Sequence, residues 1–189
     1  MTTTIDHGLK EWDSVVRALA DGRQTVLLRK GGIHETEGRF EIERRTFVLF
    51  PTWLHQRIDW VKPADRGGVH PRTSEPDEID LAACAEVTDI VRVARRPQID
   101  AIDDELIYLP PLIDMRFNYK PHNPLYVLIV RAWRLPEPVR IANTAEYAGC
   151  KSWVPFVEPI DISGATPAIE DTAFASRQSR LIQILSASR

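Results

Sequence analysis

A short basic block in the first third of the chain has the residue types that bind a phosphate group. It reads Arg29-Lys30-Gly31-Gly32, so that two cations precede two glycines. Glycine amides can approach an anion closely because no Cβ is in the way. The GxxxxGKS/T spacing of a P-loop is absent, which leaves nucleotide hydrolysis of that kind unsupported. The block therefore predicts a phosphate contact, and a hairpin turn with solvated charges is the alternative.

A second block places a cation, a hydroxyl and an indole in consecutive positions. It is Lys151-Ser152-Trp153, which ends the segment 147–153. A base could stack on the indole while the lysine contacts its phosphate. Arg131, within the most apolar segment of the sequence, adds a guanidinium of the kind that contacts nucleic acid. The alternative is that Trp153 and Tyr147 fill the end of a β-barrel.

A third candidate site pairs a titratable ring with an amide at His55-Gln56. Histidine can move protons near neutral pH, and glutamine can orient water or read a base edge. Glu43 or Glu41 could face His55, and Arg29 with Lys30 could stabilise developing charge, which would make a minimal phosphodiesterase centre. The sequence offers no HExxH motif or other convincing set of metal ligands. A purely structural role for His55 is the alternative.

The overall charge restricts how the protein could bind nucleic acid. The 189 residues include 24 basic and 27 acidic side chains, for a formal net charge of −3. Such a chain has no global attraction to a polyanion, so binding would need a local basic surface. The basic side chains are mostly arginine, which either suits phosphate recognition or reflects a GC-rich genome.

The sequence also predicts where the protein is located and whether its two cysteines form a disulfide. The longest apolar run, residues 125–130, is far shorter than the roughly 18 residues of a membrane span. The first residues lack a basic segment followed by an apolar one, so we expect no signal peptide and a cytoplasmic location. Cys84 and Cys150 are then expected to be buried thiols rather than a disulfide.

Periodicity predicts a helix at each end of the chain. The first has an apolar stripe, an N-cap at Asp6 and a terminator at Gly22; the stripe comprises Leu9, Trp12, Val15, Val16 and Leu19. The second starts at Thr166-Pro167 and has its own apolar face; that face comprises Phe174, Leu181, Ile184 and Leu185. The second helix either packs on the body of the protein or forms a homodimer.

Alternation of apolar and polar residues predicts the strands between these helices. The predicted strands are residues 24–30, 39–43, 46–50, 82–93 and 125–135. Pro51 is expected to end the third of them, Thr52 to cap a short helix over 52–60, and Pro97 to begin another over 97–106. Pro136 and Pro138 are expected to bend the last strand.

These elements predict an α+β fold with a small N-terminal helix-plus-strand lobe packed on a mostly antiparallel, β-barrel-like lobe. The first lobe spans 1–61, an exposed loop rich in proline and glycine follows over 62–78, and the β-rich lobe spans 79–158. A C-terminal helix occupies 159–189, and the whole could form one domain.

Three separated blocks resemble a bacterial family known as domain of unknown function 1802. They lie at 9–33, at 40–56 and at 125–153, within a match that covers most of residues 8–158. The family has no assigned activity, but the occurrence of some members beside restriction-endonuclease-type domains implies a role in handling foreign DNA. The second lobe also resembles PUA-type barrels, which implies binding of RNA or modified DNA.

The sequence therefore supports three functional hypotheses. The first is a nucleic-acid-binding accessory protein in which Arg29 and Lys30 contact the backbone while Lys151 and Trp153 contact a nucleotide. The second is a metal-dependent or histidine-based phosphodiesterase or other hydrolase, with His55 as general base in the histidine-based form. The third is a protein-interaction module. The sequence does not decide between DNA and RNA, and it identifies no cofactor.

Overall fold

The computed structural model describes residues 3–30, 34–36, 39–41, 44–67, 69–70, 72–149 and 151–187. Strands β1 to β9 span Thr4–Trp12, Val26–Arg29, His34–Thr36, Arg39–Glu41, Thr46–Thr52, Glu78–Val93, Leu125–Ala142, Trp153–Asp161 and Thr166–Pro167. Helices α1 to α4 span Asp13–Ala20, Arg96–Asp100, Pro110–Asn118 and Asp171–Ala187. Short 3-10 helices lie at Ile58–Trp60, Pro63–Asp65, Asp103–Glu105 and Ala145–Tyr147.

Seven of these strands form one sheet. Its order is β2-β7-β6-β5-β1-β8, with β9 also paired to β7, while β3 and β4 form a separate hairpin. All pairings in the large sheet are antiparallel except that of β1 with β5. The predicted α+β class with a mostly antiparallel sheet is therefore confirmed. Strands from both predicted lobes pair side by side in this sheet, β2 with β7 and β5 with β6.

The sheet has an apolar core on each face. One core includes apolar residues of all four helices, among them Leu19, Ile99, Leu112 and Leu181. The other consists of residues of β1, β5, β6, β7 and β8 together with Tyr147. Because strands of the same sheet, rather than helices, enclose this second core, the sheet curls around it. This curvature accounts for the barrel-like half of the molecule.

The long β6–β7 pair bends at the two prolines of β7. Leu81 pairs with Val139 and Ala83 with Arg134, so residues 135–138 lie opposite Ala82 alone. Proline cannot donate to a ladder and is tolerated where a bulge interrupts pairing. The chain nevertheless stays in strand β7 on both sides of this bulge.

The prediction of one helix from Leu9 onward is wrong in its first part. Leu9 and Trp12 belong to β1, Asp6 is a strand residue rather than a cap, and the helix begins only at Asp13. Leu9 pairs with Leu49 on one side and Trp153 on the other. Pairing with two neighbours outweighs the local helical spacing. Gly22 does follow the helix with φ of 71°, as predicted.

Three other boundaries also differ from those predicted. Strand β5 continues through Pro51. At this point β5 pairs with β1 but no longer with β6, so the N–H group that proline lacks is not needed for a bond to β6. Leu54 and His55 form a turn, and helical geometry appears only at Ile58–Trp60. Thr166–Pro167 is a strand paired with β7, so α4 begins later, at Asp171.

Helix α4 packs on the body of its own chain. Phe174, Leu181 and Leu185 are buried in the core beneath the helices. Arg131 on β7 stacks against Phe174 at 5.6 Å and forms an ion pair with Asp171 at the start of the helix. The apolar face predicted for this helix is thus covered within the chain, and a homodimer through it stays a prediction.

Candidate functional site

A cavity of about 600 Å³ opens where β1, β5 and the segment before β8 meet. Its charged lining is rich in cations; the charged residues and a histidine along it are Lys10, Glu11, Arg29, His55, Glu75, Arg116 and Lys151. Ser152 and Thr52 add hydroxyl groups, and Trp12 adds an indole. We refer to this cavity as the cationic pocket.

Backbone pairing brings distant parts of the sequence into the cationic pocket. The amide of Lys10 on β1 donates to the carbonyl of Ser152 at 2.9 Å. The carbonyl of Lys10 accepts from Nη2 of Arg29 at 2.9 Å. Thr52 on β5 donates through its hydroxyl to the carbonyl of Glu11 at 3.0 Å. Strand β1 therefore forms the centre of the site.

The floor of the pocket is a buried ion pair. Nη2 of Arg29 lies 3.0 Å from a carboxylate oxygen of Glu11, and the two residues are only 9% and 5% exposed. Burial lowers the pKa of Arg29, the Glu11 carboxylate raises it, and the nearby Arg116 lowers it again. An arginine stays protonated at neutral pH even so. Arg116 is held by a bond from Nη1 to the carbonyl of Leu28 at 3.2 Å.

Tyr108 completes this buried group behind the floor. It is 1% exposed, and burial raises the pKa of its hydroxyl well above its usual range, with Glu11 acting in the same direction. Its ring meets that of Trp12 edge-on at 6.3 Å. This contact fixes the indole that lines the pocket.

The rim is exposed and carries His55 and Lys151. His55 adopts φ of 65°, an uncommon value for a residue with a side chain. The Glu75 carboxylate accepts from the amides of Trp53 and Leu54, both at 3.0 Å, which fixes the turn just before His55. Gln56, just after it, is buried and accepts from the amide of Ser14 at 3.0 Å.

The other side of the rim is held by Lys10. Its ammonium donates to the carbonyl of Tyr147 and to that of Gly149, the latter at 3.1 Å. It also lies 5.6 Å from the ring centroid of Phe50. Gly149 has φ of 83°, which favours glycine. The lysine thereby anchors the segment that leads to Lys151.

The structure brings together only some of the residues predicted to form a site. Arg29, His55, Lys151 and Ser152 all line the cationic pocket. Others lie elsewhere, since Lys30 donates to the carbonyl of Phe117, and Arg131 contacts α4. The ring of Trp153 lies 5.4 Å from that of Phe47 and 5.7 Å from that of His7. Gly31, Gly32 and Glu43 lie outside the described residues.

Sequence reasoning missed Lys10, Glu11, Trp12 and Arg116. The first three fall in the segment predicted to be helical. On a helix, the charged Lys10 and Glu11 would be assigned to the solvent-exposed face. Leu9-Lys10-Glu11-Trp12 shows no alternation of apolar and polar residues, so this stretch carried no local signal for a strand.

The pocket concentrates positive charge in an acidic chain. Four of its lining residues are cations, against two carboxylates, whereas the whole chain carries a net charge of −3. Within the described ranges, no group of three His, Cys, Asp or Glu side chains is placed to hold a metal ion. No helix in this part of the chain is both long and apolar enough to cross a membrane.

Solved structures with a similar chain path come from one protein of Zymomonas mobilis, named ASCH. The unmodified protein is 11% identical, with 79% of this chain and 86% of that chain covered and a TM-score of 0.47. One mutant form is 12% identical over 79% and 88% of the two chains, and another is 9% identical over 96% and 99%, both with a TM-score of 0.47. So distant a likeness says nothing about binding or activity.

A family comparison is more informative. No curated protein has a significant match to this sequence. The family described as "Domain of unknown function (DUF1802)" matches residues 8–180, which includes every described residue of the cationic pocket. The resemblance predicted from the sequence blocks is confirmed, and the match extends into α4. This chain therefore belongs to the DUF1802 family.

Proposed function

We propose that this protein binds nucleic acid by taking one nucleotide into the cationic pocket. The observation that carries the proposal is the concentration of four cations around a cavity of about 600 Å³ in a chain of net negative charge. Cavities of roughly 300–1,000 Å³ suit small organic ligands. With four cations against two carboxylates, the cleft has an excess of positive charge and attracts a ligand of the opposite sign.

The lining offers a separate contact for each part of a nucleotide. Lys151 and His55 on the exposed rim suit a phosphate group. Trp12 offers a partly buried indole on which a base can stack. Thr52 and Ser152 provide hydroxyls that can bind the sugar.

Fluorescence anisotropy with labelled single- and double-stranded DNA and RNA, titrated over a salt series, tests the proposal. Lys151→Ala should weaken binding and reduce the salt slope by about one. Arg134→Ala is the matched control, because Arg134 is an exposed cation on β7 outside the pocket. Failure of the unaltered protein to bind any of these polymers at low salt would overturn the proposal. An equal effect of the two variants would do so as well.

Hydrolysis of a phosphodiester bond is a second candidate function, favoured by the presence of His55, Lys151 and Ser152 in one pocket. His55 would act as general base and Lys151 would stabilise negative charge on the phosphate. His55→Ala should then abolish cleavage of whichever polymer binds, with little change in melting temperature because the side chain is exposed. Cleavage at the unaltered rate would exclude this role for His55.

A further inference from the structure

The cationic pocket has different chemistry at its floor and at its rim. At the floor, Glu11 and Arg29 are more than nine-tenths buried. At the rim, His55 and Lys151 are exposed. A nucleotide has one charged end and one neutral end, so this difference determines which end can enter first.

A phosphate group is unsuited to the floor. It would lie beside the Glu11 carboxylate, which is buried, so that the repulsion between the two negative charges would be poorly screened. Arg29 is already engaged by that carboxylate at 3.0 Å and by the carbonyl of Lys10 at 2.9 Å. The phosphate therefore belongs at the rim, and the base enters the floor.

The floor presents an acceptor next to donors. The Glu11 carboxylate can only accept hydrogen bonds, and the guanidinium groups of Arg29 and Arg116 can only donate. Nε of Arg29 and Nε of Arg116 are buried and lack a hydrogen-bond partner among the described residues. Buried polar atoms of this kind are normally satisfied, so a ligand with matching groups would complete the floor.

We propose, on the basis of the function proposed above, that Glu11 and Arg29 bind the Watson–Crick edge of an unpaired base. In each of the four common bases this edge carries a donor beside an acceptor. It is also the edge farthest from the sugar, so it leads when the base enters and the phosphate stays at the rim. In a duplex the same edge is occupied by the opposite strand. The pocket should therefore select single-stranded nucleic acid.

A strand of ten thymine nucleotides provides the test. It is compared with the same strand methylated at N3, a change that removes the Watson–Crick donor and leaves the base uncharged. Methylation should weaken binding roughly tenfold or more, because it removes one member of the pair of hydrogen bonds. The matched control replaces each thymine by uracil, which changes only the opposite edge, and should bind as before.

A second measurement replaces Glu11 by Gln and compares single strand with duplex. The substitution keeps the side-chain size, and its effect on folding is followed by melting. We expect the unaltered protein to bind the duplex at least roughly tenfold more weakly and Glu11→Gln to reduce this selectivity. Equal binding of the methylated and unmethylated strands would overturn the inference while leaving nucleic-acid binding intact. Absence of binding to every strand would overturn the proposed function itself.

Discussion

Nη2 of Arg29 lies 3.0 Å from a carboxylate oxygen of Glu11, and both side chains are buried at the floor of the cationic pocket. The two residues come from β2 and β1, which are not neighbours in the sheet. The ion pair therefore joins separate parts of the sheet in addition to lining the pocket. Loss of this ion pair should therefore lower the free energy of unfolding as well as weaken nucleic-acid binding.

Arg29→Ala should lower the free energy of unfolding by about 3–5 kcal/mol, since it leaves the Glu11 carboxylate buried without its cation. Urea unfolding measures this change. Arg140→Ala is a suitable control because it breaks an exposed pair with Asp80 and should have little effect. Replacing Glu11 and Arg29 together by Gln should recover part of the loss. Unchanged stability of Arg29→Ala would contradict the buried pair.

Gly8→Ala should destabilise the protein by about 1–3 kcal/mol through overpacking. A Cβ at this position would lie 2.9 Å from Phe156 Cζ, 3.2 Å from Val154 Cγ2 and 3.3 Å from Phe50 Cβ, all in the core of the barrel-like half. Thermal melting would register the loss. The control is Gly67→Ala, where a Cβ meets no atom within 4 Å. Similar melting temperatures for the two variants would argue against such close packing at Gly8.

Leu181→Ala should lower the free energy of unfolding by about 2–5 kcal/mol, because this side chain of α4 is fully buried in the core. Gln183→Ala, on the exposed side of the same helix, should change it by less than about 0.5 kcal/mol. Chemical denaturation distinguishes the two. If Leu181→Ala were as stable as Gln183→Ala, the packing of α4 on its own chain would be wrong.

Cys84 should resist alkylation in the native protein. Burial raises the pKa of its thiol to about 11, so at pH 8 only about one part in a thousand is thiolate, the reactive form. The side chain is also 2% exposed. Mass spectrometry of the Cys84 peptide after iodoacetamide treatment should show slow modification that becomes fast in urea. Equal rates with and without urea would contradict the burial.

The sequence predicted most strands because their patterns are local. Residues 82–93 and 125–135 alternate or are wholly apolar, and they lie in β6 and β7 as predicted. The segment 9–19 was misassigned because a strand followed directly by a helix produces apolar spacings that also fit one longer helix. Only pairing with β5 and β8 resolves that ambiguity, and both of these strands lie more than thirty residues away in the sequence.

The site was harder to predict than the fold. Arg29, His55 and Lys151 were singled out for their residue types, but their presence in one pocket depends on strand order, which the sequence does not state. Trp153 has the same suggestive neighbours and yet packs against Phe47. Residue type indicates which contacts a side chain can make, whereas strand order determines which side chains come together in one pocket.

The central position of β1 also has a consequence for the order of events in folding. The ammonium of Lys10 reaches the carbonyl of Gly149, a residue 139 positions later in the chain. Closing so long a loop is slower than pairing β6 with β7, between which only residues 94–124 intervene. The helices and the β6–β7 pair can therefore form while the pocket is still open on one side. During refolding, the ability to hold a ligand should be acquired after most of the secondary structure, as one of the last properties to appear.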